Sequence, residues 1–280
     1  MNPPAHGPRA VLTSEMIEFC RAIPASCQIE WVKNPVFLHH FEAERMELMR
    51  QALLDSGISR EGRWQALDFG YLHGLVPEFL HRFFPHSTFT VLDHPQSPNF
   101  QNPDYLNLIR TRAYLHLEPG RLEEAGGRGG AYEVIILGEI IEHLDPTVVA
   151  KVFADLRPLL APGGRLLITT PNAGSIRDTI LTLLGHDTQS PPIPEGTMGQ
   201  PHIHLWSHPV LKLTLEHHGW ENDRVYYYDG QNTIGYLETN RRWGSWKQQL
   251  LGKLFHFGAK FHPRWRGYMV STWKLKRARG

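Results

Sequence analysis

Residues 132–137 read Tyr-Glu-Val-Ile-Ile-Leu, apolar almost without interruption and followed at once by Gly138 and Glu139. A run this short cannot span a bilayer, and without a period of two it has no wet face, so it demands a strand covered on both sides. Three more short runs behave alike: 66–69, which runs into Gly70; 89–92, which ends at Asp93; and 165–170. Between them, 75–84 and 147–160 carry apolar positions at helical spacing. Strands alternating with helices predict a parallel sheet.

The expected fold is therefore α/β: a Rossmann-like, mostly parallel sheet with helices on both faces, a helical N-terminal extension and a basic C-terminal helix. Helices are expected over 14–22, over 38–56 from Phe41, Met46, Met49, Leu53 and Leu54, and over 210–218. Strands at 222–228 and 268–275 should close the sheet. Residues 94–130 give no clear pattern beyond a helical stretch at 105–114, and 185–201, with four Pro and three Gly, reads as a loop, within a candidate lid at 185–204. This divides the chain into a tail and helical extension (1–60), a core (61–230), and a basic helix with a closing strand that completes the core sheet (231–280).

Composition narrows the class. Hydrophobic residues make up 41% and charged residues 20%, a globular balance, and no apolar run approaches the roughly 20 residues that cross a membrane. The first ten residues lack the basic-then-apolar build of a secretory signal, so a cytoplasmic location is expected. Cys20 and Cys27 have no CxxC spacing and suggest neither a disulfide framework nor a thiolate zinc site. A net charge of +1 conceals a basic tail, because residues 241–280 contain eleven Lys or Arg and no Asp or Glu. An anionic partner would be drawn there.

A parallel sheet receives ligands beyond the carboxyl ends of its strands. After the first strand come Asp68, Phe69, Gly70, Tyr71, Leu72, His73 and Gly74, where two glycines allow close backbone approach to a ligand or simply make a turn. Asp93 ends the second strand, where a carboxylate either meets a ribose diol or opens a turn with His94 and Pro95. The segments ALDFGYLHG, VLDHP, YEVIILGEIIEHLDP and LRPLLAPGGRLLITTPN, in this order and spacing, resemble class I S-adenosylmethionine-dependent methyltransferases over residues 60–230. EIIEHL, LLAPGGRLLITTPN and HIHLWSHPVLKLTLEHHGW resemble the subgroup of ubiquinone-biosynthesis O-methyltransferases and glycan-cluster tailoring enzymes.

That resemblance implies S-adenosylmethionine as cofactor. Asp68, Phe69, Gly70, Tyr71 and Gly74 would shape the pocket for its methionine part and Asp93 would hold its ribose, while Leu137, Gly138 and Glu139 would line the site near the sulfonium. The chain departs from the family at Leu72, where a glycine is usual, which keeps a non-catalytic scaffold or binding protein as an alternative to an enzyme.

Glu139, Glu142 and His143 fall at i, i+3 and i+4, a spacing that gathers side chains on one helical face. With His202 they form a candidate set for Mg²⁺, Mn²⁺ or Zn²⁺, and His143, His202 and His204 are candidate bases or ligands; a solvated helix start is the alternative. The ExxEH motif with a later His four residues before Trp206 also resembles the small-RNA 3′-terminal 2′-O-methyltransferases. Both relationships imply an oxygen acceptor on a small or conjugated metabolite, or at an RNA end. In the basic tail, Trp246, Leu250, Leu251, Leu254, Phe255 and Phe261 share one helical face, which either packs on the core or meets an anionic membrane, a lipid-like acceptor or nucleic acid.

Overall fold

A computed structural model describes residues 18, 22, 42–70, 74–122, 131–185, 202–229 and 246–276. The expected helix at 14–22, and Tyr71, Leu72 and His73, lie outside or almost wholly outside them. The described elements are α1 (Ala43–Asp55), β1 (Trp64–Phe69), α2 (Leu75–Phe83), β2 (Ser87–Asp93), α3 (Pro103–Arg110), β3 (Leu115–Pro119), β4 (Tyr132–Gly138), α4 (Pro146–Asp155), β5 (Leu160–Pro171), α5 (Ile176–Leu183), α6 (His208–His217), β6 (Trp220–Tyr228), α7 (Trp246–Phe261) and β7 (Tyr268–Leu275).

The seven strands form one sheet in the order β3-β2-β1-β4-β5-β7-β6. β1 to β5 run parallel, and β7 runs antiparallel to both β5 and β6. Alternate strand residues feed two apolar layers. Ala66, Val91, Val134 and Ile136 pack with Met46, Met49 and Leu53 of α1, Leu80 of α2 and Tyr105 of α3. Leu67, Leu92, Ile135 and Leu137 pack with Val149 and Phe153 of α4 and Leu211 and Leu215 of α6. Burial on both faces is why these strands lack polar alternation.

Local sequence sets where helices start. Asn102 and Asp145 accept hydrogen bonds from the Tyr105 and Thr147 backbone N–H groups at 3.1 and 2.8 Å, each followed by a proline at the first helical position, where no N–H is needed. The helix expected to reach Leu160 stops at Asp155. Pro158 cannot donate to a continuing helix, and Arg157–Leu159 tighten into a 3-10 turn instead. β3 was not foreseen, because this short edge strand turns His116 outward and contains only one fully buried residue, Leu115.

Candidate active site

The chain leaves β1 toward β2 on one side and reaches β4 on the other, so a crevice opens between the carboxyl ends of β1 and β4, the place where such sheets take ligands. Gly70 and Gly74 border it, both at φ 76°, a left-handed conformation that favours glycine. Gly74 is also the N-cap of α2. A Cβ on Gly70 would fall 1.9 Å from Ile140 Cδ1, so here the missing side chain makes room for the chain's own isoleucine. Asp93 closes β2, and its Oδ1 accepts the His94 N–H at 2.8 Å. Phe69 and Leu137 point their side chains into the core and offer only backbone to the crevice.

Glu139 follows β4 at φ 56°, the one non-glycine residue with positive φ among the described residues, and its N–H donates to the Thr169 carbonyl at 2.9 Å. Such strain is concentrated at functional positions. It turns the chain into a 3-10 turn, Ile141–His143, rather than the α-helical first turn that the spacing suggested.

Acidic groups dominate beneath the crevice. Asp68 is 4% exposed and Glu142 fully buried. Burial raises the Asp68 carboxyl to about 8 against the opposing pull of Arg45. Burial also raises Glu139, and burial together with the Glu139 charge raises Glu142 well above the usual carboxylate range. Thr170 Oγ1 donates to Glu142 Oε2 at 2.9 Å. Glu139 lies against both Thr169 and Glu142, yet Glu142 Oε1, Glu139 Oε1 and Thr169 Oγ1 are buried without a partner at good hydrogen-bond geometry. Such orphaned oxygens mark a place prepared for something else.

Sequence reasoning missed the cation set among them. Arg45, 1% exposed, donates through Nε and Nη2 to Glu42 Oε2 at 3.1 and 2.5 Å. Burial opposes its charge, yet Glu42 and Glu139 outweigh that and raise its pKa. Its Nη1 lies 3.8 Å from where a Gly138 Cβ would stand, beside Thr169. A signal existed: Arg45 shares the buried stripe of α1 with Met49 and Ala52, at helical spacing.

Of the suggested metal set, Glu142, His143 and His202 converge, with one donor atom from each lying within 4.8 Å of the others. The imidazoles of His143 and His202 are 4.9 Å apart. Burial and then His143 lower the pKa of His202, which keeps its ring neutral and able to accept a proton or a cation. Glu139 is not in this group; its carboxylate faces Arg45 and Glu142 instead. His204 turns to the Trp206 ring, with centroids 4.6 Å apart. The Glu142 carbonyl accepts from both Ile203 N–H (2.7 Å) and His204 N–H (3.1 Å), and Trp206 Nε1 donates to the Ile141 carbonyl at 3.2 Å, so the 202–206 segment is tied to the ExxEH turn. Most of the expected lid, 186–201, lies outside the described residues.

Two clefts lie at the opposite, amino edge of the sheet, one around Trp64, Thr88 and Glu133 and the other around Gly163, Glu221 and Lys276. Neither gathers the buried carboxylates and imidazoles found at the carboxyl edge.

A family model described as a methyltransferase domain matches residues 38–225. Among curated proteins, none matches. Solved structures share the fold at low identity. A protein of Galdieria sulphuraria assigned as a sarcosine dimethylglycine methyltransferase is 17% identical, with 84% of this chain and 87% of that one covered at a TM-score of 0.55. The PH0226 protein of Pyrococcus horikoshii OT3 is 12% identical over 84% and 91% at 0.53, and the DhpI–SAH complex is 12% identical over 95% and 97% at 0.52.

Proposed function

The chain belongs to the methyltransferase-domain family, and from that premise we propose that it binds S-adenosylmethionine between the carboxyl ends of β1 and β4 and methylates an oxygen of a small or conjugated metabolite. The observation that carries the reading is the excess of buried carboxylates there: Glu42, Asp68, Glu139 and Glu142 surround one buried cation, Arg45. Burial disfavours the charge of each of these carboxyls, and a ligand bearing a permanent positive charge would offset that penalty and draw them back toward the ionised form. When bound, the cofactor supplies an electrophilic methyl group on a sulfonium.

The chain's own residues then have distinct tasks. Gly70, Gly74, the Gly138 backbone and Asp68 would hold the cofactor, and Asp93 would accept from its ribose; Tyr71 is assigned by position alone. His202, neutral through burial, takes the proton of the acceptor hydroxyl. Alignment of acceptor and methyl supplies most of the rate.

Glu142, His143 and His202 also fit a divalent cation, since Glu142 Oε1 is buried without a partner beside two imidazoles. Two nitrogens and one carboxylate suit Zn²⁺ or Mn²⁺ better than Mg²⁺. A cation held there would lower the pKa of a bound hydroxyl and pass the role of base to His204. The same trio supports a second reading, 2′-O-methylation of an RNA end, to which it bears the resemblance noted above.

Calorimetry with S-adenosylmethionine tests the cofactor, and elemental analysis after dialysis against Zn²⁺ or Mn²⁺ tests the cation. The wild type should bind cofactor with micromolar affinity and retain about one metal per chain, and Glu142→Ala should lose the metal while keeping the cofactor. Absence of cofactor binding at millimolar concentration would leave a scaffold that retains the fold. Equal metal content in wild type and variant would make the trio structural.

A further inference from the structure

The helix α7 turns an apolar stripe outward. Leu250, Leu254, Phe257 and Phe261 are 51, 58, 60 and 69% exposed, and their spacing of 4, 3 and 4 residues keeps them on one face. On the opposite side Ala259 is buried, and on the flank Gly258 fits against Ile176 at the start of α5. The face therefore differs from the one expected: Phe257 joins it, while the side chains of Trp246, Leu251 and Phe255 lie outside the described set. Leu183 and Leu184 at the end of α5, 80 and 66% exposed, add to the exposed apolar surface of the two packed helices. Exposed apolar side chains gathered in this way mark an interaction surface.

Charge selects the partner. Lys253, Lys260 and Arg264 are exposed along the stripe, and no acidic residue occurs from 241 to the end of the chain. Nucleic acid would call for cations across the middle of the face, where leucine and phenylalanine stand instead. An amphipathic helix with apolar side chains at its centre and lysines at its margin suits the boundary between acyl chains and anionic headgroups. At 16 residues, about 24 Å, α7 is too short to span a bilayer, and none of the described helices is long and apolar enough to do so.

The surface is also joined to the crevice. Asn172, directly after β5, donates from its side-chain amide to the carbonyls of Arg264 and Arg266 at 2.9 and 2.8 Å, fixing the segment after α7 to the carboxyl edge of the sheet. We propose that α7 docks the protein on an anionic lipid surface with the mouth of the site beside the membrane.

The test is co-sedimentation of the full chain with vesicles of phosphatidylcholine alone and with a third phosphatidylglycerol. Anionic lipid should raise the bound fraction at least about tenfold, with a decline as salt is added. L254E/F257E should return it to the neutral-vesicle level, and K253Q/K260Q should lower it severalfold. All four positions are exposed, so melting temperatures should stay at the wild-type value. If the double glutamate variant fails to fold, the lysine variant and the salt titration carry the test. Wild type that ignores anionic vesicles, an L254E/F257E variant that sediments like wild type, a dimer in light scattering that F257E splits without any vesicle binding, or tight binding of single-stranded RNA in place of vesicles would each overturn the proposal.

Discussion

Asp68 carries its site chemistry into stability. Its carboxyl titrates near 4 in an unfolded chain and at about 8 in the fold, because burial penalises its charge. Between those values the native state holds a proton that the unfolded state has released, so this group's contribution makes stability fall as pH rises from 4 to 8. Asp68→Asn removes the proton exchange and keeps the shape. Urea denaturation from pH 5 to 8 should therefore show wild type losing stability relative to the variant by about 1 kcal/mol per pH unit. Parallel curves would show an ordinary carboxyl. Asp68, Gly70 and Gly138 were legible because a buried strand running into glycine is a strong local signal. His202 was placed in the metal set from its spacing to Trp206, but as bases His202 and His204 were not separable, since residues two apart in an extended segment share a side. The structure separates them by bending the chain at Ile203, so that two successive N–H groups reach the Glu142 carbonyl.

At the scale of elements, periodicity located α1 but not its task. Its apolar stripe was readable from Met46, Met49 and Leu53, but the pattern did not single out the charged pair Glu42 and Arg45. Packing decided otherwise: α1 lies on β5, β6 and β7 and carries Arg45 to the end of β4. That distance in sequence, from 45 to 138, is what no local pattern reports. Arg45→Met should cost about 3 kcal/mol, because Glu42 is left buried without its cation and the charge that offsets Asp68 and Glu139 disappears. Glu42→Gln combined with Arg45→Met should recover a large part of that loss in denaturant titration, since neutral groups carry no burial penalty of this kind. If the double variant is as unstable as the single one, Arg45 acts by packing rather than charge. β3 escaped the same kind of reading, being too polar to resemble a buried strand, whereas the C-terminal helix α7 was expected and only the choice between a core-packed and an exposed apolar face was left open.

Across the whole molecule, chain order and spatial order part company at β7. The sequence predicted two closing strands but not that the last one lies between β5 and β6, so that residues far apart in the chain share six paired positions from Leu166↔Trp273 to Pro171↔Tyr268. β6 pairs only with β7 among the described strands, and Met269, Val270 and Trp273 of β7 are wholly buried. We propose that residues 61–230 and the C-terminal segment form a single folding unit. Three such side chains contribute about 2 kcal/mol each by burial alone, a sum comparable with the 5–15 kcal/mol that holds a typical domain together. Removing them also bares the edge of β5, an invitation to pair with other chains. A chain ending at residue 245 should accordingly give no cooperative thermal transition by circular dichroism and should aggregate at concentrations where the full chain stays dispersed. A sharp transition within a few degrees of the full chain would instead show that 61–230 closes its sheet alone, with the basic segment an appendage.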